Sequence, residues 1–134
     1  MKSHHLIFEG AELSGKSWLM SQVYDWLEPK YNKNKAILDG CHWFNCDVGV
    51  YGTKHGKPII KNYLKIFEEL KQKNLLIEKF YLADKIYNSL HFGKKIDYQA
   101  IEKKLSSWLC FPGWFKISCP PILRRNFKIR SILT

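Results

Sequence analysis

The sequence predicts an α/β fold, a three-layer arrangement in which helices cover both faces of a parallel sheet, and three observations predict it. Short apolar runs of three to five residues alternate with longer stretches whose apolar residues recur every third or fourth position. That alternation implies parallel strands joined by helical crossovers. Glycine or proline stands at the borders of the stretches, at Gly10, Pro29, Pro58 and Gly93. The first apolar run passes directly into a glycine-containing loop at residues 10–17, and the first helical stretch follows that loop directly.

Residues 5–9 (His-Leu-Ile-Phe-Glu) are too short for three helical turns and read as a buried strand. From Lys16 to Leu27 the residues Trp18, Leu19, Val23, Trp26 and Leu27 mark an amphipathic helix that Pro29 is expected to stop. Residues 36–38 (Ala-Ile-Leu) read as the second strand, ending at Asp39 and Gly40, and residues 41–57 as a long loop. Pro58 suits the first turn of a helix, which Ile59, Ile60, Tyr63, Leu64, Phe67 and Leu70 continue. Residues 74–78 (Asn-Leu-Leu-Ile-Glu) form the third strand candidate. Ala83, Ile86, Tyr87 and Leu90 mark a helix ending before Gly93, and Asp97 is placed to cap another that carries Tyr98, Ile101, Leu105 and Trp108. Residues 114–118 read as a fourth strand, and 122–134 show no period.

With 134 residues, 46% of them hydrophobic and 15% aromatic, the chain has material for one core and none for two, and it is not a disordered polymer. No apolar run approaches the roughly 18 residues that a bilayer requires, and the start lacks the apolar stretch of a secretory signal. A cytoplasmic protein without a membrane partner is expected. Cys41, Cys46, Cys110 and Cys119 are few enough to read as reduced thiols, and their spacing is poor for zinc. The net charge of +10 favours anionic partners. All 12 acids and 17 of the lysines lie before residue 105, whereas all three arginines, Arg124, Arg125 and Arg130, lie after it. Residues 1–104 are therefore expected to form the core, and 105–134 an atypical basic tail.

Residues 10–17, Gly10, Ala11, Glu12, Leu13, Ser14, Gly15, Lys16 and Ser17, match G-x-x-x-x-G-K-[ST] at every fixed position. Glycine lets the backbone curl so that successive N–H groups face phosphate oxygens. Lys16 then reaches the β- and γ-phosphates, Ser17 places a hydroxyl on Mg²⁺, and the helix N-terminus adds partial positive charge. Glu78 closes the third apolar run, and strand carboxyl ends are where α/β sheets bind ligands. A carboxylate there can hold Mg²⁺ or its waters, and Lys79 beside it can neutralise phosphate charge. A charged pair ending a strand is also what a solvated sheet edge looks like.

The FEGAELSGKS loop before a helix, with LIEKFYLAD about sixty residues later, resembles the deoxynucleoside kinase and thymidylate kinase group of P-loop kinases. In the deoxynucleoside kinases the third strand typically ends in Glu-Arg-Ser, with Asp after three more residues. Glu78, Lys79, Phe80 and Asp84 stand in those places. Lysine keeps the charge of arginine and loses its planar two-pronged grip. The resemblance implies ATP and Mg²⁺, a catalytic set of Lys16, Glu78 and Lys79, metal ligands Ser17 and Glu78, and an acidic base past the second strand followed by tryptophan. Asp39, with Trp43 after it, is the first candidate for that base and Asp47 the reserve; a turn aspartate that caps the strand end explains Asp39 equally well.

The implied activity is transfer of the γ-phosphoryl group to a (deoxy)nucleoside or to a nucleoside monophosphate such as dTMP. Nucleotide and nucleoside substrates are the expected partners, a homodimer is compatible, and nucleic acid is not expected. The resemblance covers about residues 5–104 and stops where the basic tail begins, so that the family's later strand, arginine-rich lid and adenine-holding segment are expected to be truncated or replaced. The rival expectation is a nucleotide-binding relic or scaffold whose basic tail engages a partner or nucleic acid.

Overall fold

The computed structural model describes residues 3–10, 14–34 and 37–107 together with the backbone of 115–119. The elements in chain order are β1 (His5–Gly10), α1 (Lys16–Tyr31), β2 (His42–Asn45), α2 (Gly56–Glu69), β3 (Leu75–Glu78), α3 (Tyr81–Phe92), α4 (Gln99–Ser107) and β4 (Phe115–Cys119). All strand pairs are parallel, in the order β2-β3-β1-β4. Phe8, Asn45 and Glu78 stand abreast in the ladder, which brings the carboxyl ends of β1, β2 and β3 to one edge of the molecule.

Strand alternation divides the core into two layers, because successive side chains leave a strand on opposite faces. Leu6, Phe8 and Leu76 turn to one face, where Leu19, Met20 and Leu27 of α1 cover them. Ile7, Leu75 and Ile77 turn to the other, against Ile60, Leu64 and Phe67 of α2 and Ile101 and Leu105 of α4. The chain is thus α/β with helices on both faces of a parallel sheet. A sheet covered twice needs strands that are apolar on both sides, and His5 through Phe8 are buried without exception. Phe67 is the hub of the larger layer, with the rings of Phe44, Tyr63 and Phe80 5.1–6.0 Å away. Each such ring pair contributes about 1 kcal/mol beyond the area it buries.

Three expectations need correction. The first helix runs through Pro29 to Tyr31. Proline in the last turn loses one N–H bond, and Glu28 compensates: its carbonyl accepts from Asn32 N at 2.9 Å and its Oε1 accepts from Asn32 Nδ2 at 2.6 Å. The second strand is not at 36–38, where Ile37 and Leu38 are exposed and outside any strand; it is His42–Asn45, inside the expected loop. Non-local bonds set that register. Buried Glu28 accepts from Cys41 N at 2.7 Å, and Asn74 Nδ2 donates to Gly40 O at 2.8 Å. Gly40 makes the approach feasible, since a Cβ there would meet the Glu28 carbonyl oxygen at 2.1 Å. The fourth strand is displaced by one residue, to Phe115–Cys119. Trp108, Cys110, Trp114 and residues 120–134 lie outside the described residues.

Asp97 caps the last helix as expected, its Oδ1 accepting from Gln99 N at 2.8 Å. That helix continues past residue 104, and Leu105 belongs to the main core. Among the described residues no helix is long and apolar enough to cross a membrane.

Candidate functional site

The loop after β1 opens at Gly10 and closes at Gly15, which begins α1 with φ +89°, a left-handed conformation that glycine adopts without a Cβ penalty. Ala11, Glu12 and Leu13 lie outside the described residues. Lys16 is buried, and its Nζ donates to the Gly10 carbonyl at 3.0 Å. Ser17, exposed at the start of α1, donates through Oγ to Glu78 Oε1 at 3.2 Å. Ser14 Oγ is buried with no hydrogen-bond partner among the described residues. A buried hydroxyl without a partner is costly in water-free surroundings.

Glu78 ends β3 and Lys79 follows it with φ +51°, the one non-glycine residue with positive φ among those described. Such a conformation costs a lysine about 1 kcal/mol or more. From it the Lys79 Nζ meets Asp47 Oδ2 at 2.8 Å. The lysine side chain is 6% exposed and the aspartate 36%. Asp47 is positioned just past β2, its N–H donating to Asn45 Oδ1 at 3.0 Å.

Asp39 is elsewhere. It precedes β2, and its Oδ2 pairs with Lys73 Nζ at 3.0 Å while its Oδ1 lies 3.3 Å from His42 Nε2. Lys73 and His42 stand before β3 and at the first position of β2, so this cluster occupies the amino ends of the strands, with the strand length separating it from Lys16, Ser17, Glu78 and Lys79. The hydrogen bond to Lys73, more than any other influence, holds the Asp39 carboxyl below its ordinary range. The earlier expectation followed from placing β2 at 36–38; with β2 at His42–Asn45 the acid past the strand is Asp47.

Two residues at the site stand outside the sequence-predicted set. Glu9, next to Gly10, accepts from Phe80 N through Oε1 at 2.9 Å. Burial raises its carboxyl to about 7, against the opposing pull of the Phe80 N–H, Lys16 and Lys79. The signal available was a carboxylate at the end of a buried strand, where burial has to be compensated. Tyr51, from the loop after β2, directs its hydroxyl to the carbonyls of Cys46 and Lys79. Asp84, the acid of the LIEKFYLAD segment, is buried. It accepts from Gly52 N at 2.9 Å and from the Tyr98 hydroxyl, tying the 46–56 loop to α3 and α4. The thiol of Cys46 is pushed up to about 12 by burial and then by Glu9 and Glu78, and Cys41 to about 12 by burial and then by Glu28, so both stay protonated at neutral pH.

No family model and no curated protein matches the chain. The reading of its chemistry therefore rests on the motif and on the geometry just described.

Proposed function

We propose that this protein is a P-loop phosphotransferase that moves the γ-phosphoryl group of ATP to a (deoxy)nucleoside or a nucleoside monophosphate. The observation that carries the reading is the convergence of Lys16, Ser17, Glu78, Lys79 and Asp47 at the carboxyl ends of β1, β2 and β3, the edge where α/β sheets bind their ligands. The backbone of residues 10–17 would hold the phosphates, with Lys16 exchanging its Gly10 carbonyl for phosphate oxygens, and the Ser14 hydroxyl, which has no partner among the described residues, would donate to the same anion.

A hard cation takes oxygen ligands, and Ser17 Oγ with Glu78 Oε1 would offer two while phosphate and water supplied the rest. Bound there, Mg²⁺ would supply charge neutralisation on the phosphates. Asp47 takes the place of Asp39 as the acid facing the acceptor, able to accept the proton of a nucleoside hydroxyl, and Lys79 beside it offers a buried positive charge to the group in transit. Positioning and charge stabilisation do most of the work in such reactions.

The test is an ATP-depletion assay with the four deoxynucleosides and dTMP, run with a thermal-shift titration of Mg-ATP. Turnover with at least one acceptor is expected, and Lys16→Ala is expected to lower it at least about 100-fold while abolishing the thermal shift. Unchanged ATP affinity in Lys16→Ala would remove the phosphate role. Stabilisation by Mg-ATP without turnover would leave a nucleotide-binding protein and not an enzyme.

A further inference from the structure

We infer that Glu9 and Tyr51 are positioning residues that clamp the Lys79–Phe80 peptide from its two sides and so fix where the Lys79 ammonium stands. A single peptide unit receives both contacts. Its N–H, from Phe80, donates to Glu9 Oε1 at 2.9 Å, and its carbonyl, from Lys79, accepts from the Tyr51 hydroxyl at 3.3 Å. On the other side of the same residue, Lys79 N donates to the Phe8 carbonyl at 3.0 Å. Lys79 is thereby held at φ +51° by three bonds that reach it from β1 and from the loop after β2.

The strain explains why a clamp is needed. An unconstrained lysine would leave the left-handed region, and that rotation about its N–Cα bond would carry the side chain away from Asp47 and the following peptide plane away from Glu9 and Tyr51 together. Two groups of different origin oppose that rotation, and each is itself fixed. Glu9 is the last side chain of a strand paired on both edges. Tyr51 shares its proton with the Cys46 carbonyl, and Cys46 N in turn donates to the Glu78 carbonyl at 2.9 Å. The ammonium is therefore delivered by backbone geometry. The catalytic consequence rests on the phosphotransfer reading; the geometry does not.

The experiment uses the full chain labelled with ¹⁵N on the backbone and ¹³C on the lysine side chains, with Lys79→Arg assigning the Lys79 signal. Glu9→Ala and Tyr51→Phe are each expected to speed Phe80 amide exchange at least about tenfold and to move the Lys79 signal to the position of solvated lysines. Glu9→Gln is expected to restore both, because its amide oxygen accepts the same N–H. If Glu9→Ala does not fold, Tyr51→Phe and Glu9→Gln carry the test. A Lys79 signal unmoved by both disruptive variants, or Glu9→Gln behaving like Glu9→Ala, overturns the inference. In the kinetic arm Glu9→Ala is expected to lower kcat about tenfold or more with little change in KM for ATP. Absent turnover in the unaltered protein overturns the phosphotransfer reading while the spectroscopic result still decides the clamp.

Discussion

Two lysine–aspartate pairs of nearly equal length stand at opposite ends of the sheet. Lys79 and Asp47 meet at 2.8 Å past the carboxyl ends of β3 and β2, and Lys73 and Asp39 at 3.0 Å before their amino ends. The difference is solvent: the Lys79 side chain is 6% exposed and the Lys73 side chain 45%. Water screens the second pair, and pairs of that kind contribute little to stability. The first holds a cation that has been taken out of water and depends on its partner. Chemistry at this protein's surface therefore cannot be ranked by distance alone, and the buried pair is the one at the carboxyl ends of the strands.

The comparison can be broken from the carboxylate behind the buried pair, where the largest effect is expected. Glu9 titrates near 7 in the folded chain, well above its ordinary value of 4.5. Between those values the folded state holds a proton that the unfolded state releases. Stability contributed by the neutral form is then complete below about 4.5 and is lost as pH rises through about 7, by about 3 kcal/mol at most. Glu9→Gln should flatten that slope, measured as the difference between urea midpoints of the two proteins from pH 4.5 to 8. A parallel pair of curves would place Glu9 in water.

Asp47→Ala comes next. Leaving Lys79 buried with its ion-pair partner removed should cost about 1–3 kcal/mol in chemical denaturation. On the phosphotransfer reading, turnover should also fall about 100-fold. A smaller effect belongs to the backbone: Lys79→Gly should be about 1 kcal/mol more stable than Lys79→Ala, because only glycine accepts the positive φ without strain. Equal stability of the two would mean that Lys79 leaves the left-handed region when its ammonium is gone. The smallest effect is expected from Asp39→Ala, which should leave the melting temperature and, on the phosphotransfer reading, Mg-ATP binding where they were. A loss of binding in that variant would reverse the ranking of the two ends.

The strand, loop and helix of residues 5–27 were legible because each signal there is local: an apolar run, a glycine-containing loop and a period of three to four. The same holds for α2, β3 and α3. What misled was residues 28–47. Pro29 reads as a helix stop until Glu28 and Asn32 are seen to close the turn around it. Ile37 and Leu38 are more apolar than His42 and Asn45, so the hydropathy pattern selects the wrong segment as β2. Asp39 was chosen as the acid on that basis, and the site's acid moved with the strand.

By itself the sequence determined the α/β class and the match of residues 10–17 to G-x-x-x-x-G-K-[ST], since both follow from which residue types are neighbours in the chain. Tertiary structure alone decided which aspartate stands at the carboxyl ends of the strands and that Lys79 pairs with it. Those outcomes depend on bonds between residues distant in sequence, Glu28 with Cys41, Asn74 with Gly40 and Glu9 with Phe80, and partners brought together only by burial leave no spacing to read.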